Sequence, residues 1–378
     1  MKGGKKKNIV FFTPTFNKTG SELVLFNLLP FAKANYNITV ITKYKGELFD
    51  QLPDYVDKHY LVNKQYGGVV SKIANRIRAY LIIPRILKKY HNAVWYINTI
   101  LLPEIVEYAQ KKNIKVIIHL HELQQMYSLL SEQEIERLTN YPFLVIANSK
   151  ISANVLKSYG SVGDIEIIYP AINTRKIALD LNTPILYRKR INVAENTFLW
   201  AMCGTLDKNK NPVLFIDIAC ELKKQHLEFK MMWIGASAKN SNIEEQCRLY
   251  AKEKNVEDVI SWLGEVGNEF YNYFAAANGF VLTSEYESFS MVTVEALLLG
   301  LPVVANNCGG VSEILANGYG FVSREKNNAK EMADKMKEIM AKSVTTTDKQ
   351  MLIDKGNEFD SLIIGKAWIE ILNNRIVE

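Results

Sequence analysis

Two carboxylates and a lysine are the residues in this chain best suited to chemistry. Glu287 and Glu295 lie eight positions apart in GFVLTSEYESFSMVTVEALLLGLPVVANNCGG, residues 279–310. The stretch reads as strand, polar loop, helix, Gly-Leu-Pro turn, strand and Gly-Gly turn. The helix, expected from about Phe289 to Leu299, is apolar on almost every face and should be buried. A carboxylate in its middle, Glu295, is costly unless something pairs with it. In purely structural terms Glu295 is a buried acid held by a lysine, and Glu287 is an ordinary loop residue. In functional terms the two bracket a helix start, where free N–H groups favour anions.

Lys210 belongs to a second turn, Gly204-Thr205-Leu206-Asp207-Lys208-Asn209-Lys210, which follows the apolar run 198–203. By itself Lys210 is a solvated lysine at a helix start. Together with Lys208 it could neutralise a phosphate. A nucleoside diphosphate attached to a sugar needs these parts: positive charge for the diphosphate, and carboxylates for ribose and sugar hydroxyls. His121 closes the run 115–120, where ligands collect in a parallel sheet. The alternative for His121 is a loop histidine bonded to backbone. Gly20 lies in the loop between a strand at 8–12 and the helical pattern after Glu22, a weak form of a nucleotide-binding turn.

The elements that must position these residues alternate along the chain. In the first half, strands are expected at 8–12, 37–42, 93–98, 115–120, 143–147 and 165–169, with Asn148-Ser149 as a helix cap. The second half repeats the alternation from Phe198, with strands at 198–203, 230–234, 259–263, 279–283, 302–305 and 320–322. Strands alternating with helices imply parallel sheets covered on both faces. Residues 171–196 lose regular pattern and read as a connection; 343–357 read as a polar loop. A last helix, about 360–374, should bury Leu362, Ile363, Trp368, Ile369 and Leu372. The expected domains are 1–180 and 181–358, with 359–378 as a terminal helix.

At 378 residues, two domains are the natural division, and 48% hydrophobic with 23% charged residues is ordinary for a soluble protein. A formal charge of +6 and a pI of about 8.8 suit anionic small ligands or an anionic membrane surface rather than dedicated nucleic-acid binding. Four scattered cysteines, without a C-x-x-C pair, read as reduced cytosolic thiols, not as a disulfide or zinc framework. No apolar run reaches transmembrane length, and Ile9 to Phe12 is too short for a signal peptide. Between Lys58 and Pro103 there is no Asp or Glu. There residues 71–90, SKIANRIRAYLIIPRILKKY, have helical apolar spacing and a basic face, fit either for peripheral docking on anionic lipid or for simple solvation. Pro84 would kink or end that helix.

The segment from Glu287 through Glu295-Ala, Gly300-Leu-Pro-Val-Val and Gly309-Gly310-Val-Ser-Glu313-Ile resembles the E-x7-E region of retaining glycosyltransferases of family 4 (glycosyl transferases group 1). Gly20-Ser-Glu22, Ala147-Asn-Ser149, Tyr169-Pro170, the Gly204–Lys210 turn and Trp262-Leu-Gly-Glu stand in that family's order, so the resemblance covers most of the chain. It implies the GT-B fold, two Rossmann-like α/β domains facing across a cleft, with the last helix returning to the N-terminal domain.

By the same resemblance, Glu295 holds the ribose hydroxyls and Glu287 the donor-sugar hydroxyls. The N–H groups of Phe289, Ser290 and Met291 sit over sugar and phosphate. Lys210 stabilises the leaving diphosphate, Gly20 admits the phosphates, and His121 touches the donor sugar. Thr205, after Gly204, stands where the family often has arginine, which leaves the leaving group to Lys210 with help from Lys208. No D-x-D occurs, and no metal or other cofactor is expected. The expected substrate is a nucleotide sugar, UDP favoured and GDP second, with a glycan or lipid-linked acceptor in bacterial surface polysaccharide or glycolipid synthesis. The expected location is the cytoplasm or the inner membrane face. A same-fold epimerase or phosphorylase, or a non-catalytic membrane-attached subunit favoured by Thr205, are the competing assignments.

Overall fold

The first apolar run forms strand β1, Lys7–Thr13, buried from Ile9 onward, as a strand covered on both faces must be. The computed structural model describes residues 6–62, 83–161, 163–177, 183–238, 241–342 and 345–376. The chain divides into two units, Met1–Ile172 with Ser361–Glu378, and Asn173–Asp360.

In the N-terminal unit, β1 is joined by β2 (Tyr36–Tyr44), β3 (Val56–Val62), β4 (Val94–Ile97), β5 (Val116–Leu120), β6 (Leu144–Ala147) and β7 (Ile165–Ile167). Their order is β3-β2-β1-β4-β5-β6-β7, with every pairing parallel. Strands are added to one side of β1 and then, from β4, to the other. The crevice outside the carboxyl ends of β1 and β4 is therefore the place where such a sheet binds ligands. The helix Lys150–Ser158 starts at Ser149, whose Oγ accepts from Ser152 N at 3.2 Å.

The expectations did not include β3. Its sequence, VDKHYLV, is half polar because it is an edge strand with an incompletely covered face. Most of the basic stretch 71–90 lies outside the described residues. Its end forms the helix Ile83–Lys89, which includes Pro84, and the residues before it, on which the expected kink or end at Pro84 also bears, lie outside the described residues.

The terminal helix Ser361–Ile376 packs within the N-terminal unit. Its buried face is Ile364, Gly365, Trp368, Leu372 and Ile376, whereas Leu362 and Ile363 are 45% and 55% exposed. The expected apolar face is thus rotated. A Cβ on Gly365 would lie 2.4 Å from the Phe31 ring, so only the glycine side of the helix can approach there. Trp368 is fully buried, 6.1 Å from the Phe11 ring, and its Nε1 donates to Tyr96 Oη at 3.1 Å.

The second unit has a six-stranded parallel sheet in the order β10-β9-β8-β11-β12-β13. The strands are β8 (Phe198–Cys203), β9 (Phe229–Ile234), β10 (Ile260–Gly264), β11 (Gly279–Leu282), β12 (Val303–Ala305) and β13 (Phe321–Val322). The same reversal occurs between β8 and β11. It brings the turn after β8 and the loop after β11 to one crevice.

Two stretches expected to be irregular are helical. Within 171–196, Thr183–Arg190 forms a helix anchored by the adjacent buried residues Tyr187 and Arg188 rather than by an apolar stripe. Arg188 donates to the carbonyls of Ala276 (2.9 Å), Ala194 (3.0 Å) and Thr197 (2.9 Å) and to Asn278 Oδ1. Within 343–357, Thr346–Asn357 forms a helix begun by a capping box between Thr345 and Asp348. It is mostly polar and buries only Leu352 and Gly356, leaving Met351 exposed and Ile353 half-buried. A Cβ on Gly356 would lie 2.7 Å from Leu298 Cγ, so glycine lets this helix press against the one that carries Glu295.

Candidate functional site

In the second unit, the Lys210 turn is set by glycine. Gly204 has φ +148° and Gly235, after β9, has φ +141°; a Cβ on Gly235 would lie 2.0 Å from Gly204 O. The two strand ends therefore touch through backbone. The turn is held by Leu206 N to Ala236 O at 3.0 Å and by Trp233 Nε1 to Gly204 O at 3.0 Å. Asp207 Oδ1 accepts from Lys210 N at 2.9 Å. Asn211, left-handed at φ 51°, caps the next helix by accepting from Leu214 N at 3.1 Å, with Pro212 in the first turn. Thr205 and Lys208 are exposed; Lys210 turns inward.

Lys210 Nζ forms an ion pair with Glu287 Oε1, the side chains being 21% and 15% exposed. Burial pulls the Lys210 ammonium down, but Glu287 outweighs it and holds the pKa above that of an ordinary lysine. Ser284 Oγ donates to the same carboxylate at 2.8 Å. The backbone of Glu287 is pinned on both sides, its N–H to Cys308 O and its carbonyl to Gly310 N, each at 2.8 Å. Gly310 is required there, since a Cβ would meet Ser288 O at 2.0 Å. A further tie comes from Glu285 Oε1, which accepts from Asn211 Nδ2 at 2.6 Å and Asn327 Nδ2 at 2.8 Å. Burial pushes the thiols of Cys203 and Cys308 beside this cluster well up, which makes them inert.

The helix expected at 289–299 runs Met291–Leu298. The Phe289 side chain is buried against Phe359, with ring centroids 5.3 Å apart, so only its backbone is available to a ligand. Ser290 Oγ accepts from Thr293 Oγ1 at 2.9 Å. The first N–H groups of a helix have no intrahelical acceptor, which places Met291 at a natural anion seat. Glu295 is not held by a lysine. It accepts from Tyr271 Oη at 2.9 Å, and Lys210 is committed to Glu287. Burial pushes the Glu295 carboxyl up to about 7, against the lowering effect of the Tyr271 bond.

In the N-terminal unit, the crevice between β1 and β4 collects a second set. Gly20 opens the helix Gly20–Ala32, and a Cβ there would meet nothing within 4 Å. Among the described residues, nothing requires glycine at that place. Asn98, just past β4, donates to Ser21 O at 3.0 Å. His121 Nε2 lies 3.0 Å from Asn98 Oδ1, which makes Nε2 the donor, so the expected alternative of a backbone bond gives way to a side-chain amide. Burial pushes His121 down to about 3, so it is a neutral imidazole. Its ring packs 4.1 Å from that of His119, whose Nδ1 pairs with Tyr96 Oη at 2.8 Å. Glu122 receives the N–H of His121 at 2.9 Å and the hydroxyl of Thr99.

Sequence reasoning missed Tyr271 and Asn98 and gave Ser284 and Glu285 no role in the site. Ser284 and Asn98 could have been found as polar residues closing apolar strands. Tyr271 carries no such signal; it sits in a short aromatic-rich helix, Phe270–Ala275.

Two parallel-sheet units with flanking helices, each with its polar residues at the strand reversal, define the GT-B glycosyltransferase fold. The comparisons narrow this. Residues 185–358 match the family described as Glycosyl transferases group 1, which is nearly all of the second unit. A D-inositol 3-phosphate glycosyltransferase of Paenarthrobacter aurescens is 26% identical over 218 residues, 55% of this chain and 51% of that protein. The amylovoran biosynthesis glycosyltransferase AmsK of Erwinia amylovora is 24% identical over 369 residues, 84% of this chain and 87% of its own. The Anabaena protein HepE, solved in complex with UDP and glucose, superposes with a TM-score of 0.79 at 19% identity, covering 97% of this chain and 100% of HepE. The chain spans about half the length of the first curated relatives it matches, the D-inositol 3-phosphate glycosyltransferases. Its homologues are glycosyltransferases, some of them named for polysaccharide or lipopolysaccharide synthesis.

Proposed function

We propose that this protein is a retaining, metal-independent glycosyltransferase of the E-x7-E, family 4 type. It moves a sugar from a nucleoside-diphosphate sugar, UDP-linked by preference over GDP, to a hydroxyl of a glycan or lipid-linked acceptor at the cytoplasmic membrane face. The observation that carries this is the Lys210–Glu287 ion pair beside the first turn of the helix that bears Glu295. In this assignment Glu295 takes the ribose hydroxyls. The N–H groups of Phe289, Ser290 and Met291 face the sugar and phosphates, with the Gly204-Thr205 turn beside them. Lys210, kept protonated by Glu287, stabilises the diphosphate as it departs. Glu287 positions the sugar and is not a covalent nucleophile. The acceptor hydroxyl attacks from the face the diphosphate leaves and passes its proton to a phosphate oxygen.

From the N-terminal unit, the resemblance assigns Gly20 to the phosphates and His121 to the donor sugar. The open space at Gly20 and the neutral Nε2–H donor of His121 fit those roles. No described helix is long and apolar enough to cross a membrane. The membrane contact is assigned to residues 71–90.

The test is a turnover panel over UDP-, GDP- and ADP-sugars, in the presence of EDTA, with wild type, Glu295→Ala and Lys210→Ala. Turnover of one donor by wild type, its loss in both folded variants and an anomerically retained product are expected. Wild-type rates in both variants would sink the assignment.

A further inference from the structure

Unlike Glu287, Glu295 has no lysine partner among the described residues, and a tyrosine occupies the place where a cation would be expected. Tyr271 reaches it from the helix Phe270–Ala275, across to the helix Met291–Leu298, and donates to Oε1 at 2.9 Å. Tyr271 is a fixed donor: burial and the Glu295 charge both raise its pKa. Among the described residues, the Cys203 thiol at the end of β8 also faces Glu295, and burial keeps it neutral. A carboxylate that accepts two vicinal hydroxyls must be ionised and must hold one orientation. A lysine would supply the charge but would also compete, with three donors, for the oxygens that the ribose needs. A single phenol hydroxyl occupies one lone pair and leaves the rest of the carboxylate open.

We propose that Tyr271 is the positioning residue for the ribose anchor: it orients the Glu295 carboxylate and stabilises its ionised form, so that nucleotide affinity depends on it. The inference rests on Glu295 as the ribose-binding residue. Two consequences distinguish it from a packing role. Affinity rises with pH as Glu295 ionises, with a midpoint near 7. Removing the hydroxyl moves that midpoint upward, because the bond favours the charged form.

The experiment is calorimetric titration of wild type, Tyr271→Phe and Glu295→Gln with the tightest-binding of UDP, GDP and ADP, from pH 6 to pH 9. The terminal phosphate of the nucleotide titrates equally against all three proteins, so the ratios of Kd are read. Loss of one hydrogen bond to a carboxylate moves the midpoint by about one pH unit, which predicts about fivefold weaker binding by Tyr271→Phe at pH 7 and recovery toward wild type at pH 9. Unchanged affinity at every pH, or uniform weakening without recovery, overturns the role of Tyr271. If Glu295→Gln binds as tightly as wild type, or no nucleotide binds wild type, the ribose assignment itself falls. A weakened Glu295→Gln beside an unchanged Tyr271→Phe would leave that assignment standing.

Discussion

Replacing Glu295 with glutamine should stabilise the ligand-free protein while weakening nucleotide binding. The amide keeps the shape and the bond from Tyr271 but removes a charge that folding disfavours. Burial raises this carboxyl from the ordinary 4.5 to about 7 in the folded state. Because the folded pKa lies above the unfolded one, the favourable contribution is complete below about pH 4.5 and is lost as pH rises through about 7. Above pH 7 the native carboxylate is therefore a net burden, and Glu295→Gln relieves it.

At about 1.4 kcal/mol per pH unit, that rise sets a ceiling of about 3 kcal/mol. Glu295 keeps part of its surface in solvent, which reduces the realised gain to about 1–2 kcal/mol. For a unit the size of Asn173–Asp360, this is about 3–6 °C in Tm. Thermal unfolding followed by calorimetry at pH 4.5, 6, 7 and 8 checks it. The gain should be near zero at pH 4.5 and fully developed at pH 8. A variant that is equally or less stable at pH 8, or whose gain is independent of pH, would refute the idea that this carboxylate is held under strain for a ligand.

Further perturbations probe the rest of the site. Lys210→Gln should reduce turnover by about 10²–10³, the usual cost of one group stabilising developing negative charge, with a smaller change in KM; a steady-state kinetic comparison reads the split, and a pure KM effect would remove Lys210 from the leaving group. Gly20→Ala should leave Tm unchanged, since a Cβ there meets nothing within 4 Å, yet raise the donor KM; Gly310→Ala, with its Cβ 2.0 Å from Ser288 O, should lose about 1–3 kcal/mol of stability in a urea titration. Asn278→Asp would place a carboxylate against the buried Arg188, whose hydrogen bonds among the described residues go to carbonyls and an amide, with the Glu195 charge acting on it as well. It should raise stability by about 1 kcal/mol above pH 5 and lose that gain as the new acid protonates. Sedimentation with anionic liposomes tests residues 71–90: salt-sensitive binding is expected, and equal recovery in the supernatant with neutral and anionic vesicles would argue for a plain solvated face.

Much of the architecture was readable because parallel strands buried on both faces leave continuous apolar runs. The run 198–203 became β8 residue for residue, and 279–305 became strand, helix and strand as expected. What escaped was held by something other than an apolar stripe. Edge strand β3 is half polar, Thr183–Arg190 is anchored by one tyrosine and one arginine, and Thr346–Asn357 buries little beyond a leucine and a glycine. The terminal helix was expected in place but rotated, because the close approach of Gly365 to Phe31 is a property of two surfaces and not of one helix.

The candidate site divides along the same line. The local chain determined the order of turns, the eight-residue interval between Glu287 and Glu295, and the lysine turn after β8, since each depends only on strand and helix periodicity. Tertiary structure alone decided the partners. The strand reversal between β8 and β11 brought Lys210 to Glu287 across 77 residues of chain, and packing between two helices gave Glu295 a tyrosine in place of a lysine. The physical reason is that the charge state of a carboxylate depends on how much water is removed from it and on which donor fills the space, and both are set only when distant elements meet.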